Sequence, residues 1–165
     1  MLRTEEMNAR DEDSTPGVKD GPGTEKESPQ RTQGNTEKSR SGRVLLAAFS
    51  RPPEARGEEV NSSIVIAAEP VSTYPGLKEA AQYFGPLTEI ATAQGFTMDE
   101  DPYEIALGKK TLVRGDFHKD VGTRVMRQST LVMLMRGNAV SITVIAGTED
   151  DVEDLIDGLD FATGK

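Results

Sequence analysis

The sequence predicts an α+β fold, an antiparallel β-sheet meander with helices packed on its faces in an α/β/α sandwich. Three observations carry this prediction. Four short apolar segments follow one another between Tyr103 and Ala146, separated by turn residues. The stretch from Leu77 to Ala91 repeats its apolar residues at helical spacing, and the chain closes on an acidic amphipathic segment from Thr148 to Leu159. The expected order is β-β-α-β-β-β-β-α.

The first strand is Arg43 to Ser50, an apolar run stopped by Pro52-Pro53, and the second is the β-branched run Ser63 to Glu69. The polar link between them is long enough for a loose hairpin, so the two are expected to pair. Leu77, Ala80, Ala81, Phe84, Leu87, Thr88 and Ala91 then lie along one helical face, with Pro75 before them and Gly95 after. Gly85-Pro86 interrupts that face, because an internal proline removes a hydrogen bond and clashes with the preceding turn. A kink or two short helices is therefore expected.

The meander strands are Tyr103 to Leu107, Thr111 to Phe117, Arg124 to Arg136 and Ala139 to Ala146. Gly108-Lys109-Lys110 and Gly137-Asn138 read as hairpin links, and His118 to Thr123 as a longer one. The run Thr130 to Met135 is apolar on both faces, as suits a central strand covered on both sides. In the last helix, Thr148 is an N-cap, Glu149, Asp150 and Asp151 match the positive end of the helix dipole, and Val152, Leu155, Ile156 and Leu159 form the apolar stripe.

Apolar content divides the chain. Between Arg3 and Arg43 the only branched aliphatic residue is Val18 and there is no aromatic residue, whereas all eight aromatic residues lie later. Such a segment buries too little to offset ordering entropy, so residues 1–42 are expected to be a disordered polar arm or long loop and 43–162 a single domain. Residues 1–43 hold 8 Lys/Arg against 9 Asp/Glu, which leaves nearly all of the net charge of −9 in the folded part. An acidic domain without a basic stripe argues against a nucleic-acid partner and against anionic membrane surfaces.

Absence of cysteine removes disulfides, thiolate nucleophiles and Cys-ligated metals. No cofactor is expected. As written, the chain has neither an apolar signal segment nor a membrane span, which reads as cytoplasmic.

The run from Leu107 to Leu159 resembles the PsbP-like superfamily, in particular its uncharacterised bacterial branch. A glycine turn, Gly108, leads into a strand carrying Arg114 and the acidic-aromatic pair Asp116-Phe117. A long strand with Gln128, a turn at Gly137, a last strand and an acidic helix opening at Thr148 follow. The earlier run Ser63 to Phe84, with its Tyr74-Pro75-Gly76 helix entry, fits the same pattern. The resemblance implies an accessory module that binds a protein or small-molecule partner and catalyses nothing; Arg114, Asp116, His118 and Gln128 are the candidate binding residues. Two departures stand out. The family's opening strand with an aromatic-Pro-Gly-Trp signature is absent, and Asn138 stands where relatives tend to carry an aromatic residue. The first implies either an open sheet edge, a site for a groove or for strand addition, or a true start upstream of Met1, which would move the protein to the cell envelope.

Other features are weighed from the residues alone. Arg114-Gly115-Asp116 spells an adhesion tripeptide, but inside a strand, where alternation puts Leu112, Arg114, Asp116 and His118 on one face and Val113, Gly115 and Phe117 on the other. Asp116 and His118 at i, i+2 are candidates for an acid–base pair, with Ser129 or Thr130 as nucleophile in a hydrolase-like alternative. The acidic runs Asp99 to Glu104 and Glu149 to Asp154 raise a calcium-responsive alternative, although neither has the ligand spacing of an EF-hand, so no metal site is assigned. Asn61-Ser62-Ser63 matches a glycosylation acceptor, and Met126, Met133 and Met135 are expected core fillers.

Overall fold

The computed structural model describes residues 42–54, 57 and 59–162. The expected arm or loop over 1–42 therefore lies, but for Gly42, outside the described residues. Strands β1 (Arg43–Phe49), β2 (Ser63–Pro70), β3 (Thr97–Met98), β4 (Tyr103–Leu107), β5 (Lys110–Val121), β6 (Arg124–Met135) and β7 (Asn138–Ala146) join helices α1 (Phe84–Ala93) and α2 (Glu149–Asp157). All seven strands form one antiparallel sheet in the order β1-β2-β7-β6-β5, and β3 and β4 lie end to end along the far side of β5.

The expected fold class holds, and its reason is visible in β6. Leu131 and Val132 point to opposite faces, and both are completely buried. On one face Val132 joins Val113 and Phe117 beneath Phe84 and Ala91 of α1. On the other, Leu131 joins Leu112, Ile142 and Val144 beneath Val152 and Ile156 of α2. Each such fully buried side chain stabilises the fold by roughly 1.5–3 kcal/mol.

The helix before the meander begins later than its apolar spacing predicts. Gln82 accepts hydrogen bonds from the main-chain N–H of Lys78 (2.8 Å) and Glu79 (3.1 Å), half of a capping box that starts a 3-10 turn at Ala80–Tyr83. Helix α1 follows directly, and Pro86 falls in its first turn, where a missing N–H breaks no helical bond. Two helical pieces are present as expected, but they meet between Tyr83 and Phe84, and Gly85-Pro86 lies inside the second. At the other end, Phe96 N–H donates to the Ala91 carbonyl and Gly95 N–H to that of Thr92, a Schellman closure. Thr148 caps α2 by accepting from the Asp151 N–H at 3.1 Å.

Four details correct the sequence reading. β5 does not end at Phe117 but continues through His118 to Val121, so the link to β6 is only Gly122-Thr123. The polar run His118 to Asp120 resembles a turn, yet its backbone is paired with β6, and His118 also with the unforeseen two-residue strand β3. The β6–β7 turn is Arg136-Gly137, both at positive φ (51° and 76°) as a type I′ turn requires, and Asn138 already belongs to β7. Among the methionines, Met126 and Met133 pack against the two cores, but Met135 beside the turn is exposed.

Candidate functional site

The face of β5 that carries Arg114 and Asp116 turns toward α2. Antiparallel register puts Tyr103 of β4 opposite Arg114 and Ser129 of β6 opposite Asp116. These four side chains bond to one another. Arg114 Nε donates to Asp116 Oδ1 at 2.9 Å, Tyr103 Oη donates to Asp116 Oδ2 at 2.7 Å, and the Ser129 hydroxyl also donates to Asp116. Arg114 further donates to Ser129 Oγ at 3.2 Å and reaches across to Glu153 of α2 with Nη1 at 3.1 Å and Nη2 at 2.5 Å. The bidentate bond to Glu153 ties the helix to the sheet.

Above this floor lies a cleft of about 510 Å³. It opens beside the gap in the outer strand row, where β3 has ended and β4 has not begun. Asp99 and Glu100 border it from that gap, and Glu149, Asp150 and Glu153 from α2. Arg127, in an ion pair of 3.0 Å with Glu149, completes the wall. Six carboxylates thus face two guanidinium groups. Among the described residues, Glu100 and Asp150 have no side-chain partner.

Electrostatics of the floor follow from burial and pairing. Burial disfavours the charged Arg114 guanidinium, but the hydrogen bonds it donates to Glu153 and Asp116 outweigh this and push its pKa above the ordinary value. Tyr103 is pushed up from 10.0 to about 12, first by desolvation and then by its hydrogen bond to the Asp116 carboxylate and that group's negative charge. A raised phenol pKa means the fold favours the neutral form. The stabilisation is whole below pH 10 and is lost as pH climbs from 10 to about 12. In a tyrosinate absorbance titration, the component that Tyr103→Phe removes should have its midpoint near pH 12. In Asp116→Asn that component should move back toward 10, because two of the raising causes are Asp116 itself.

The structure brings some predicted site residues together and separates others. Arg114 and Asp116 share the cleft floor. His118 does not pair with Asp116: its Nδ1 bonds to Asp99, while Asp116 is occupied by Arg114, Tyr103 and Ser129. Gln128 borders the cleft, but its side-chain amide donates to Thr130 at 3.4 Å within the buried sheet. The nucleophile candidates are both inaccessible, Ser129 being 2% and Thr130 1% exposed, and Thr130 bonds to Thr143 on the neighbouring strand β7. Among the described residues, no group of three or more His, Asp or Glu side chains is placed to hold a metal ion. Asn61 is bonded through both ends of its amide to the main chain of Arg51, so its side chain closes the β1–β2 link. The contacts of Tyr103 and Glu153 with Asp116 and Arg114 are not among the sequence-based expectations.

Fold and site together define an antiparallel α/β/α sandwich with a polar cleft between one sheet edge and the closing helix. Among solved structures the chain is similar to PA94, a protein of unknown function from Pseudomonas aeruginosa, at 16% identity over 72% of this chain and 85% of that one, with a TM-score of 0.48. It is also similar to LpqN, involved in cell envelope biogenesis of Mycobacterium tuberculosis, at 15% identity over 72% and 76% of the two chains, with a TM-score of 0.39. No family model and no curated protein matches the sequence. Among the described residues, no helix is long and apolar enough to cross a membrane.

Proposed function

We propose that this chain is a non-enzymatic accessory module of the PsbP-like kind, whose cleft over Arg114 and Asp116 receives a cationic group of a protein or small-molecule partner. One observation supports this above the others. The floor groups are bonded to one another, and among the described residues Glu100 and Asp150 at the rim have no side-chain hydrogen bond or ion pair. Preorganised carboxylates around a concavity attract positive charge and repel phosphate. A hydrolase built on Asp116 and His118 needs an accessible nucleophile beside the imidazole, and neither Ser129 nor Thr130 is accessible.

The test is a titration followed by amide NMR shifts, with spermidine and an arginine-rich peptide as cationic probes and a glutamate-rich peptide as control. Saturable shifts centred on Glu100, Tyr103 and Asp150, produced by a cationic probe and weakened at least about tenfold by Glu100→Gln with Asp150→Asn, are the expected result. Shifts scattered over the acidic surface, or a preference for the glutamate-rich peptide, overturn the reading. Hydrolysis of chromogenic esters that disappears in His118→Ala would replace it with the enzyme.

A further inference from the structure

The two edges of the sheet are built in opposite ways. The β3/β4 edge is interrupted, with Asp99, Glu100, Asp101 and Pro102 between strands of two and five residues and Glu104 within the second. Short strands, charge and proline are how proteins keep an edge from pairing with another chain. β1 lacks proline and is not short, although its pairing with β2 shifts register between Val44 and Leu46. It spans seven residues, Arg43–Phe49, every one of them exposed, with Val44 at 67%, Leu45 at 60%, Leu46 at 50% and Phe49 at 46%. Beyond Arg43 it carries no charge. Among the described residues its outer edge pairs with no other strand, and it is about 23 Å long.

From this contrast we infer that β1 is an interface, and that its occupant is β1 of a second copy of this chain, paired antiparallel about a two-fold axis into one continuous sheet. The preceding residues 4–42 offer one branched aliphatic residue, Val18, and no aromatic residue, a composition that disfavours an apolar strand partner. A second copy supplies an apolar strand of matching length. With the two-fold near Leu46, Arg43 of each copy comes opposite Phe49 of the other, so the only charged side chains of the pair stay apart. The symmetric contact closes after two copies, because it consumes both open edges and leaves only the guarded ones. A single strand pair is a small interface, so association is weak and reversible. Each copy carries a net charge of −9, so added salt strengthens the dimer by screening that repulsion.

Sedimentation velocity of the full chain across a wide concentration range tests this. A monomer–dimer equilibrium that tightens with salt is expected. Leu46→Lys and, separately, Leu45→Glu should each weaken it at least about tenfold. Neither side chain belongs to a core cluster, so both variants should keep the parent far-UV circular dichroism and melting temperature. Hydrogen exchange supplies an independent measure, with β1 amides protected more strongly as concentration rises. A chain that stays monomeric throughout, or a dimer that both variants leave unchanged, overturns the inference.

Discussion

Gly115→Ala is expected to destabilise the domain by about 2–3 kcal/mol and to lower its melting temperature by roughly 10 °C. On intrinsic grounds the sign should be the reverse, since alanine in a strand restricts the unfolded chain and usually gains about 0.4–1 kcal/mol. Packing decides otherwise. A Cβ at this position would stand 2.9 Å from Cδ1 of Phe84 and closer still to Cε1. Phe84 is 4% exposed and belongs to the α1-side core with Val113, Phe117 and Val132, so displacing its ring disturbs that packing. Guanidinium denaturation measures the loss. In a Phe84→Leu background, which removes the ring edge, the same Gly115→Ala change should cost less than half as much, a coupling that only direct contact produces. A neutral Gly115→Ala would place the Phe84 ring elsewhere. The middle residue of the Arg-Gly-Asp tripeptide is thus glycine because an aromatic ring lies across the strand there.

How far the sequence carries depends on whether a feature is local. The long apolar runs of β6 and β7 and the capped stripe of α2 are each set by their own residues, and they form where periodicity puts them. β3 is two residues long, too short to have a period, and exists because β5 offers it a backbone. The tail of β5 misleads for a related reason. His118, Lys119 and Asp120 have the composition of a turn, but their strand conformation comes from pairing with β6, and Lys119 covers Phe96 while donating to the Gln94 carbonyl at 2.7 Å.

The site divides the same way. Alternation along one strand suffices to put Arg114 and Asp116 on a common face. Tyr103 was within reach of the same logic, because a two-residue turn at Gly108-Lys109 sets Leu107 opposite Lys110, and counting back sets Tyr103 opposite Arg114. Shortening the next link to Gly122-Thr123 likewise sets Asp116 opposite Ser129. Glu153 and Asp99 had no such signal. Their contacts with Arg114 and His118 arise from how α2 docks and where the chain turns after β3, which no local spacing encodes.

Arg114→Met is the second change with a large expected effect, about 3 kcal/mol by chemical denaturation, with the activity of no partner required to see it. The side chains of Arg114 and Asp116 are 11% and 18% exposed, so their ion pair is mostly shielded from water. Removing the guanidinium leaves Asp116 as an uncompensated carboxylate under Tyr103 and Ser129, and releases Glu153 and with it the tie between β5 and α2. Two comparisons separate these effects. Glu153→Gln removes only the outer half of the network, and because Glu153 is 51% exposed the cost should stay within about 1 kcal/mol. Arg114→Met combined with Asp116→Asn removes both charges, and should recover more than half of the loss, since most of the penalty is the stranded charge rather than the missing attraction. If the double variant is no better than Arg114→Met alone, the guanidinium acts mainly through its packing between Tyr103 and α2, where it lies 6.0 Å from the ring centre. Recovery by the double variant would instead establish the carboxylate as a charge that the fold holds in place at a cost in stability, as a rigid anionic floor for the cleft requires.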